Sequence, residues 1–460
     1  MEKLIGKVLA KITPSAAEYR AELALADKLI GKIKSMEGKH VDAILAGSLA
    51  RNTHLKGDRD IDIFVLFPKH LLREEFVKEG LRIGKRVLKG YKWFEAYSEH
   101  PYLRANVNGY DVEIVPSYKI ANASELKSAV DRTAFHTKYL LKNLSEKHRS
   151  EVRLLRQFMK GIRCYGADLK FASVPGYVIE LLILEYGTFE NCLKAIAEWH
   201  FGKVIDLEGY WNEKDARKMF PEAPLIIIDP IDKKRNVAAA LAKEQFERMV
   251  LAANAFLKKP NEKFFFPELV KCWGIGKIRQ MLSKKEIIAL QLAYPKNVLP
   301  DIMWGELRRL ERKVATQLKQ REFDVLRSDS WTDEKKTIAL IYELKELALP
   351  KTMGRIGPFA EDLENQKRFI AAHKGKIISG PRIEKGRWVI ETRREFTDVK
   401  KLLCVIAKEL AKKDKKDVRR AIKSGCRVLD KEGIEALYGK NGEFQRFLTR
   451  YLKGKEEFLE

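Results

Sequence analysis

Hydrophobic positions between residues 15 and 116 follow two different spacings. A recurrence every three or four residues predicts amphipathic helices over 15–36 and 71–88, because this spacing collects apolar side chains on one helix face. Apolar runs rich in β-branched residues predict strands over 41–45, 61–67, 92–97 and 110–115. Pro116 is expected to end the last of these strands. The pattern therefore predicts a mixed α/β region with at least three neighbouring strands.

The pattern becomes mainly helical between residues 150 and 259. Helices are predicted over 152–159, 178–186 and 237–257, with one strand over 225–228. A polar, lysine-containing stretch over 261–263 precedes three phenylalanines and Pro267, which indicates a boundary. Beyond it, strands over 287–293, 323–326 and 336–344 and a helix over 302–320 are predicted. Their β-α-β-β order is compatible with a ferredoxin-like sheet.

The length of the chain limits the number of domains. At roughly 100 to 200 residues per domain, 460 residues predict about three. We place them at residues 1–149, 150–262 and 263–460. The predicted fold class is α+β and multidomain.

The charge balance points to a polyanionic partner. The chain has 89 Lys and Arg against 64 Asp and Glu, a net charge of +25. Such a surface attracts nucleic acid or an anionic membrane, although solubility alone is the simpler interpretation. The sharpest basic stretch, residues 400–427, holds 11 Lys and Arg against 3 acids, or +8. A solvated helix face is the alternative for this stretch.

No apolar run approaches the roughly 20 residues that a membrane-spanning helix needs. The first residues also lack the apolar core and small-residue cleavage site of a secretory signal. We therefore expect no membrane association and an intracellular, cytoplasmic protein.

The candidate functional residues begin at Gly47-Ser48, a glycine and a small hydroxyl at the end of a predicted strand. Backbone N–H groups at such a position can hold a phosphate. Asp60 and Asp62 lie two apart in the next strand and therefore share one face. Asp111 and Glu113 repeat this spacing later. For either pair alone, an exposed edge strand with paired lysines is the simpler interpretation. Together they predict a divalent-cation site, because crowded carboxylates need a positive partner.

These motifs resemble a known superfamily. Gly47-Ser48, the following Arg51, the Asp60-x-Asp62 strand and the later acidic strand are similar to the polymerase β-like nucleotidyltransferases. Further stretches resemble the archaeal, class I CCA-adding enzymes; they are residues 128–136, 163–167, 176–182 and 229–238, Gly357-Pro358 and Gly386-Arg387-Trp388. The likeness covers nearly the whole chain and is strongest up to about residue 260.

The resemblance implies a fold and a reaction. The fold would be a polymerase β-like nucleotidyltransferase head, a mainly helical central domain and a ferredoxin-like α+β C-terminal region that binds RNA. The reaction would be template-independent addition and repair of the 3′-terminal CCA of tRNA from CTP and ATP, with release of pyrophosphate. The resemblance leaves a homodimer open.

The resemblance also assigns roles to individual residues. Asp60, Asp62 and Glu113 would be catalytic and would bind two Mg²⁺ ions, although the family usually has aspartate where this chain has Glu113. The expected nucleotide-binding residues are Ser48, Arg51, Thr133, His136, Arg156, Tyr165 and Arg235.

Several of these residues have a simpler structural interpretation. Thr133 could cap a helix, His136 could be an interior histidine with satisfied hydrogen bonds, and Tyr165 could be a core aromatic. Arg156 stands where the family pattern has lysine, which keeps the charge but changes its geometry. Arg235 is expected to open an apolar helix, where a solvated residue of the first turn is the simpler interpretation. The resemblance implies that it reads the base edge, a role that suits the rigid fork of donors of arginine.

Two other functions share parts of this pattern. A poly(A) polymerase-like RNA nucleotidyltransferase would use the same carboxylates but would add runs of A to many acceptors. A non-catalytic RNA-binding protein could keep the fold, but it would have little reason to retain Asp60, Asp62 and Glu113.

Overall fold

Two units divide the chain by their internal contacts. Unit 1 consists of Met1–Leu269 together with Glu456–Glu460, and unit 2 of Val270–Lys455. The computed structural model describes residues 1–37, 41–97, 99–122, 125–128, 130–166, 170 and 172–459. These units are coarser than the three predicted domains and do not test the division at residue 150. Within the described residues, no helix combines the length and apolar character needed to cross a bilayer.

The first sheet of unit 1 has five strands in the order β1-β2-β5-β4-β3. Its elements, with the helices around it, are α1 (Glu2–Ile12), α2 (Ala16–Glu37), β1 (Asp42–Leu45), α3 (Gly47–Ala50), β2 (Asp60–Pro68), α4 (Arg73–Val87), β3 (Trp93–Tyr97), β4 (Pro101–Val107), β5 (Tyr110–Lys119) and α5 (Arg132–Asn143). Strands β2 and β5 are parallel, and the other neighbouring pairs are antiparallel.

Alternation along β2 decides which face of the sheet is buried. Ile61, Ile63, Val65 and Phe67 join one apolar cluster with residues of α2 and α4. The opposite side chains at the start of the strand are the carboxylates Asp60 and Asp62. On this second face Phe64 and Leu66 are also buried, so only the carboxylates at the start of the strand remain available for chemistry.

The predicted end of β5 at Pro116 is wrong, because the strand continues to Lys119. Strand β4 pairs with β5 only as far as Ile114. Beyond that point β5 pairs with β2 alone, with Pro116 opposite Val65. A proline without an N–H is tolerated there because one side of the strand has no partner. The strand β4 itself was not predicted.

The rest of unit 1 is mainly helical and contains a small three-stranded sheet. Its elements are α6 (Glu146–Gly161), α7 (Gly176–Tyr186), α8 (Phe189–Ala197), β6 (Lys203–Ile205), α9 (Glu213–Met219), β7 (Leu225–Asp229), β8 (Asp232–Asn236) and α10 (Lys243–Lys258). The helix predicted over 237–257 is wrong at its start, since α10 begins at Lys243. Arg235 lies in strand β8 and does not open a helix.

An aromatic cluster forms the centre of this mainly helical part. The rings of Phe158, Phe189, Phe256, Phe264 and Phe265 lie 5.3–5.9 Å apart. Both ends of the chain contribute to the same core. Val8 and Ile12 of α1 belong to it, and the ring of Phe458 lies 5.5 Å from that of Phe264.

Unit 2 contains two sheets. Its elements are α11 (Ile275–Ser283), β9 (Glu286–Ala293), α12 (Pro300–Gln320), β10 (Val325–Thr332), β11 (Thr337–Leu344), β12 (Thr352–Phe359), α13 (Leu363–Ala372), β13 (Ile377–Glu384), β14 (Arg387–Arg393), α14 (Val399–Lys413), α15 (Lys416–Ser424), β15 (Cys426–Leu429), α16 (Lys431–Lys440) and α17 (Gly442–Lys453). The four-stranded sheet has the order β10-β11-β9-β15, and the three-stranded sheet has the order β12-β14-β13. The predicted β-α-β-β succession is present in β9, α12, β10 and β11.

A buried acid and a buried histidine face each other in the first part of unit 1. Oε2 of Glu22 in α2 lies 2.9 Å from Nε2 of His54, although neither atom is aligned for a hydrogen bond within the described residues. Burial raises the pKa of Glu22 to about 7, and the nearby charge of Glu18 acts in the same direction. Burial lowers the pKa of His54 to about 4. Between these two values Glu22 holds a proton and His54 is neutral.

The raised pKa of Glu22 makes stability depend on pH. Folding takes up a proton at Glu22 between its ordinary pKa of 4.5 and about 7, so this contribution to stability is lost as pH rises through that range. Glu22→Gln cannot titrate. We expect the variant to gain about 1 to 2 kcal/mol over the parent protein between pH 5 and pH 8. Thermal unfolding of both proteins across this range measures the difference, and parallel stability curves would contradict the assignment.

Candidate active site

The parallel pairing of β2 and β5 brings three carboxylates to one region of the sheet. Asp62 stands directly opposite Glu113, and Asp60 opposite Asp111. Because alternate residues share a face, Asp60, Asp62 and Glu113 lie on the side opposite the apolar cluster. Asp60 and Asp62 come from β2 and Glu113 comes from β5, so the pairing of the two strands brings them together. The structure therefore assembles the three predicted catalytic residues in one place.

A glycine allows the neighbouring turn to approach these carboxylates. Gly47 begins α3 with φ +70°, a conformation that side-chain-bearing residues rarely adopt. A Cβ atom at this position would overlap Oδ2 of Asp62. The backbone of Ala46 also donates to the carbonyl oxygen of Asp62 at 2.9 Å. Gly47 thus lies against Asp62, and no other residue type fits at position 47 without movement.

Arg104 forms a close ion pair with Asp111 and only a longer contact with Glu113. Nε of Arg104, on strand β4, lies 2.9 Å from both carboxylate oxygens of Asp111, and Nη2 makes a further contact with Oδ2. Nη1 of Arg104 lies 3.5 Å from Oε1 of Glu113. Asp111 is therefore neutralised by a close pair, while Glu113 has only a longer contact. Sequence analysis did not identify Arg104, because its role depends on the register of β4 against β5.

The electrostatics of the carboxylates favour a bound cation. Burial, together with the nearby charge of Asp60, raises the pKa of Asp62 to about 6. Burial also raises the pKa of Glu113 to about 7, with Asp62 as the next contribution. A divalent cation with oxygen ligands would relieve this repulsion. Among the described residues, no three His, Cys, Asp or Glu side chains already surround a single point. The carboxylate oxygens of Asp60, Asp62 and Glu113 therefore fit a cation that takes its remaining ligands from water or substrate.

Helix α6 presents a row of cations to the segment that links the Gly-Ser turn to β2. Arg153 donates from Nε to the carbonyl oxygen of His54 at 2.9 Å, and from Nη2 to the carbonyl oxygen and Oδ1 of Asn52 at 2.7 and 2.6 Å. Lys160 Nζ lies 2.8 Å from Oδ1 of Asp58. Arg156 stands between them in sequence. These contacts hold residues 52–58 from the side of the mainly helical part.

Glu180 of α7 is the buried counter-charge for the arginines. Its carboxylate has no exposed surface and accepts from Nε and Nη2 of Arg51, both at 2.9 Å. Thr53 Oγ1 donates to it at 2.6 Å, and Nη2 of Arg156 lies 3.9 Å away. Sequence analysis missed this residue, although a single acid inside the apolar run 178–184 was a usable signal.

Asp229 makes a second buried centre at the end of β7. His136 Nε2 lies 2.9 Å from its Oδ2, and Nη1 of Arg235 donates to the same oxygen at 2.7 Å. The ring of Tyr177 is stacked on His136 with centroids 4.0 Å apart. Burial lowers the pKa of His136 against the opposing effect of Asp229. The predicted residues His136 and Arg235 are thus joined through an acid that was not predicted.

The remaining predicted nucleotide-binding residues lie beside these groups. Helix α5 begins at Arg132 with Asp131 in the capping position, so Thr133 does not cap it. The guanidinium carbon of Arg156 lies 5.8 Å from the ring centre of half-buried Tyr165, and Nζ of Lys160 lies 5.4 Å from it. Nη1 of Arg51 donates to Thr137 of α5 at 3.3 Å. Their roles toward a nucleotide stay predictions.

A carboxylate-bearing sheet beside a Gly-Ser turn, with buried arginines around it, has the form of a nucleotidyltransferase. Family comparison agrees, since the nucleotidyltransferase domain matches residues 26–140. The second domain of tRNA nucleotidyltransferases matches residues 150–266, and the C-terminal domain of CCA-adding enzymes matches residues 284–431.

Curated relatives narrow the class to one family. The CCA-adding enzyme of Methanothermobacter thermautotrophicus is 35% identical over 82% of this chain and 83% of its own length. That of Methanosarcina mazei is 32% identical over 98% of both chains, and that of Methanocaldococcus jannaschii is 35% identical over 87% and 89%. The chain belongs to the CCA-adding enzyme family, and the resemblance found in the sequence is confirmed.

Solved structures give a more distant likeness. A structure of a cytoplasmic RNA terminal U-transferase covers 56% of this chain and 94% of its own, with 16% identity and a TM-score of 0.45. This likeness is too distant to define a function.

Removal of the charge at Glu180 is expected to destabilise unit 1. Glu180→Gln leaves Arg51 and Arg156 buried without a carboxylate, and we expect a loss of about 3 kcal/mol in the free energy of unfolding. Glu190→Gln is a matched control, because it breaks an exposed pair with Lys194 at 2.8 Å that is worth under about 0.5 kcal/mol. Urea unfolding of the two variants measures both values, and equal losses would contradict a special role for Glu180.

Proposed function

We propose that this protein adds and repairs the 3′-terminal CCA of tRNA from CTP and ATP, with two Mg²⁺ ions. The observation that supports the proposal most directly is the pairing of β2 with β5, which sets Asp62 beside Glu113 and Asp60 on the same face. Membership of the CCA-adding enzyme family supplies the substrate class. A cytoplasmic location, and a homodimer as one oligomeric state, complete the proposal.

In the proposed mechanism, Asp60, Asp62 and Glu113 hold the metal ions. Bound Mg²⁺ would supply a lowered pKa for the tRNA 3′-hydroxyl and neutralisation of the triphosphate and leaving pyrophosphate. The protein holds the three carboxylates on one sheet, and Arg104 pairs with the neighbouring Asp111. No side chain is required as a covalent nucleophile.

The triphosphate is assigned to the basic region beside the carboxylates, with Ser48, Arg51, Thr133, Arg156 and Tyr165 as contacts. The two buried guanidinium groups of Arg51 and Arg156 share the single carboxylate of Glu180. Within the described residues, Nε of Arg156 has no hydrogen-bond partner. Arg51 is held by Glu180 through two nitrogen atoms, so Arg156 is the freer of the two to bind phosphate.

His136 and Arg235 are assigned to the base of the nucleotide. The guanidinium of Arg235 projects from strand β8 and is partly exposed, whereas the carboxylate that holds it is buried. Selection of C and then A without a template needs fixed donors against the base edge, which arginine provides.

Unit 2 is assigned to the tRNA body. In the basic stretch 400–427, some cations are paired within the protein, such as Lys400 with Asp430 and Lys415 with Glu306. No ion pair is found in the described part of the chain for Lys401, Lys408, Lys412, Lys413, Lys416 or Lys423. These lysines can bind phosphates without reading sequence, which suits a substrate class that includes every tRNA.

The experiment that tests the function measures product length. The protein is incubated with Mg²⁺ and tRNAs that end before CCA, after C or after CC, with CTP, ATP or both, and products are resolved to single nucleotides. We expect addition of C, C and A followed by a stop. Runs of A on any RNA would instead indicate a poly(A) polymerase, and tight tRNA binding without addition would indicate a non-catalytic RNA-binding protein.

Substitution of the two acids on β5 should separate their roles. Glu113→Gln is expected to lower the rate of CTP addition at least about a hundredfold, because a metal ligand is lost. Asp111→Asn is the matched control on the same strand face, and we expect a change below about fivefold, since Arg104 already neutralises this acid. Equal losses in both folded variants would show that Asp111 shares the role of Glu113.

A further inference from the structure

Side chains from elements that are far apart in the chain contact the carboxylate of Asp229. Its side chain has no exposed surface. It accepts from His136 of α5 at 2.9 Å, from Arg235 of β8 at 2.7 Å and from the backbone N–H of Ile231 at 3.1 Å. Tyr177 Oη of α7 lies 3.5 Å from Oδ1. The carboxylate is therefore fixed from several directions and cannot follow Arg235 if that side chain moves.

The side chains of Asp229 and Arg235 are buried to different extents. Asp229 is fully buried, whereas the side chain of Arg235 is 38% exposed. Nη1 of Arg235 makes the inner contact with Asp229. Among the described residues, no hydrogen bond is found for Nε or Nη2 of Arg235. Asp229 therefore sets the direction of the guanidinium and leaves two nitrogen atoms as donors toward the open side.

Cytosine and adenine share a feature that a fixed donor can read. Each has an unprotonated ring nitrogen, N3 in cytosine and N1 in adenine, next to an amino group. Uracil and guanine carry N–H at the corresponding ring position, so a donor aimed there meets another donor. A guanidinium with a single orientation therefore favours C and A over U and G, while one that can rotate loses that distinction.

We propose that Asp229 is a positioning residue for nucleotide selection, which acts by fixing the guanidinium of Arg235. This inference rests on the proposed function, in which Arg235 faces the base, and adds the group that determines its orientation. His136, whose ring is stacked on Tyr177, also binds Asp229 and helps to hold its carboxylate in place. Asp229 itself is not expected to touch the nucleotide.

The test compares rejection of a wrong nucleotide. Single-turnover kcat/KM is measured for CTP and for UTP on tRNA that lacks CCA, with the full-length protein and Mg²⁺. For Asp229→Asn we expect the CTP to UTP ratio to fall at least about tenfold, because a neutral amide holds the guanidinium weakly. Asp229→Glu keeps the buried charge but moves the carboxylate by one methylene group, and a smaller fall in the same ratio is expected.

A matched control lies in the same hairpin. Asp232 accepts from Nη2 of Arg132 at 3.1 Å, and among the described residues no ion pair joins it to Arg235. Asp232→Asn removes a partly exposed Asp–Arg ion pair, and we expect the CTP to UTP ratio to stay unchanged. An equal fall in this variant would overturn the proposal, since general loosening of the hairpin would then account for the effect.

A double-mutant cycle tests whether Asp229 acts through Arg235. In an Arg235→Ala background, Asp229→Asn should change the ratio no further, because the group that it positions is gone. Independent, multiplying effects would overturn the proposal, and so would an unchanged ratio in a folded, active Asp229 variant. Failure of the unmodified protein to add CCA would overturn the proposed function instead, so the two failures are distinct.

Discussion

A carboxylate with no contact with water holds the candidate site together. Glu180 binds the guanidinium of Arg51 through two nitrogen atoms and accepts from Thr53, so it fixes two residues of the segment that follows Gly47-Ser48. Gly47, just before this segment, lies against Asp62. Burial of an acid is tolerated here only because several positive groups surround it. The position of the Gly-Ser turn beside the catalytic face thus depends on an interaction with a helix more than a hundred residues away in the chain.

The same balance of charge extends across the whole site. The acids on β2 and β5 form a negative face, and Arg51, which follows α3, forms a positive one with Arg156 of α6. Neither set is fully compensated by its own neighbours. A nucleotide bound together with a divalent cation would supply both complementary charges, the cation for the acids and the phosphates for the arginines.

The sequence predicts local features of this site well and its long-range features poorly. Alternation along the strands places Asp60 with Asp62 and Asp111 with Glu113 on shared faces, because the side-chain period of a strand is local. Which of the later two acids remains available depends on Arg104, and hence on the pairing of β4 with β5. Asp229 and His136 are 93 positions apart, and no spacing rule connects them. Contacts of this kind require the fold.

The error in the predicted start of helix α10 has a similar cause. Residues 237–242 are apolar enough to continue a helical pattern, but Asn236 ends strand β8 and ties the turn to β7. Its Oδ1 accepts from the N–H groups of Ile227 and Ala238, and its Nδ2 donates to Leu225. A side chain that satisfies three backbone groups outweighs helix propensity. Arg235 consequently stands on a strand, where its direction is set by pairing and by Asp229.

The aromatic core of unit 1 includes residues that are synthesised only after unit 2. Phe458 packs against Phe264, and Arg248 binds Glu456 at 3.0 Å, so part of this core is supplied from beyond the end of unit 2. A ribosome makes the chain from the N-terminus. The contacts of Phe458 and Glu456 with the rest of unit 1 can therefore form only after all of unit 2 has been translated.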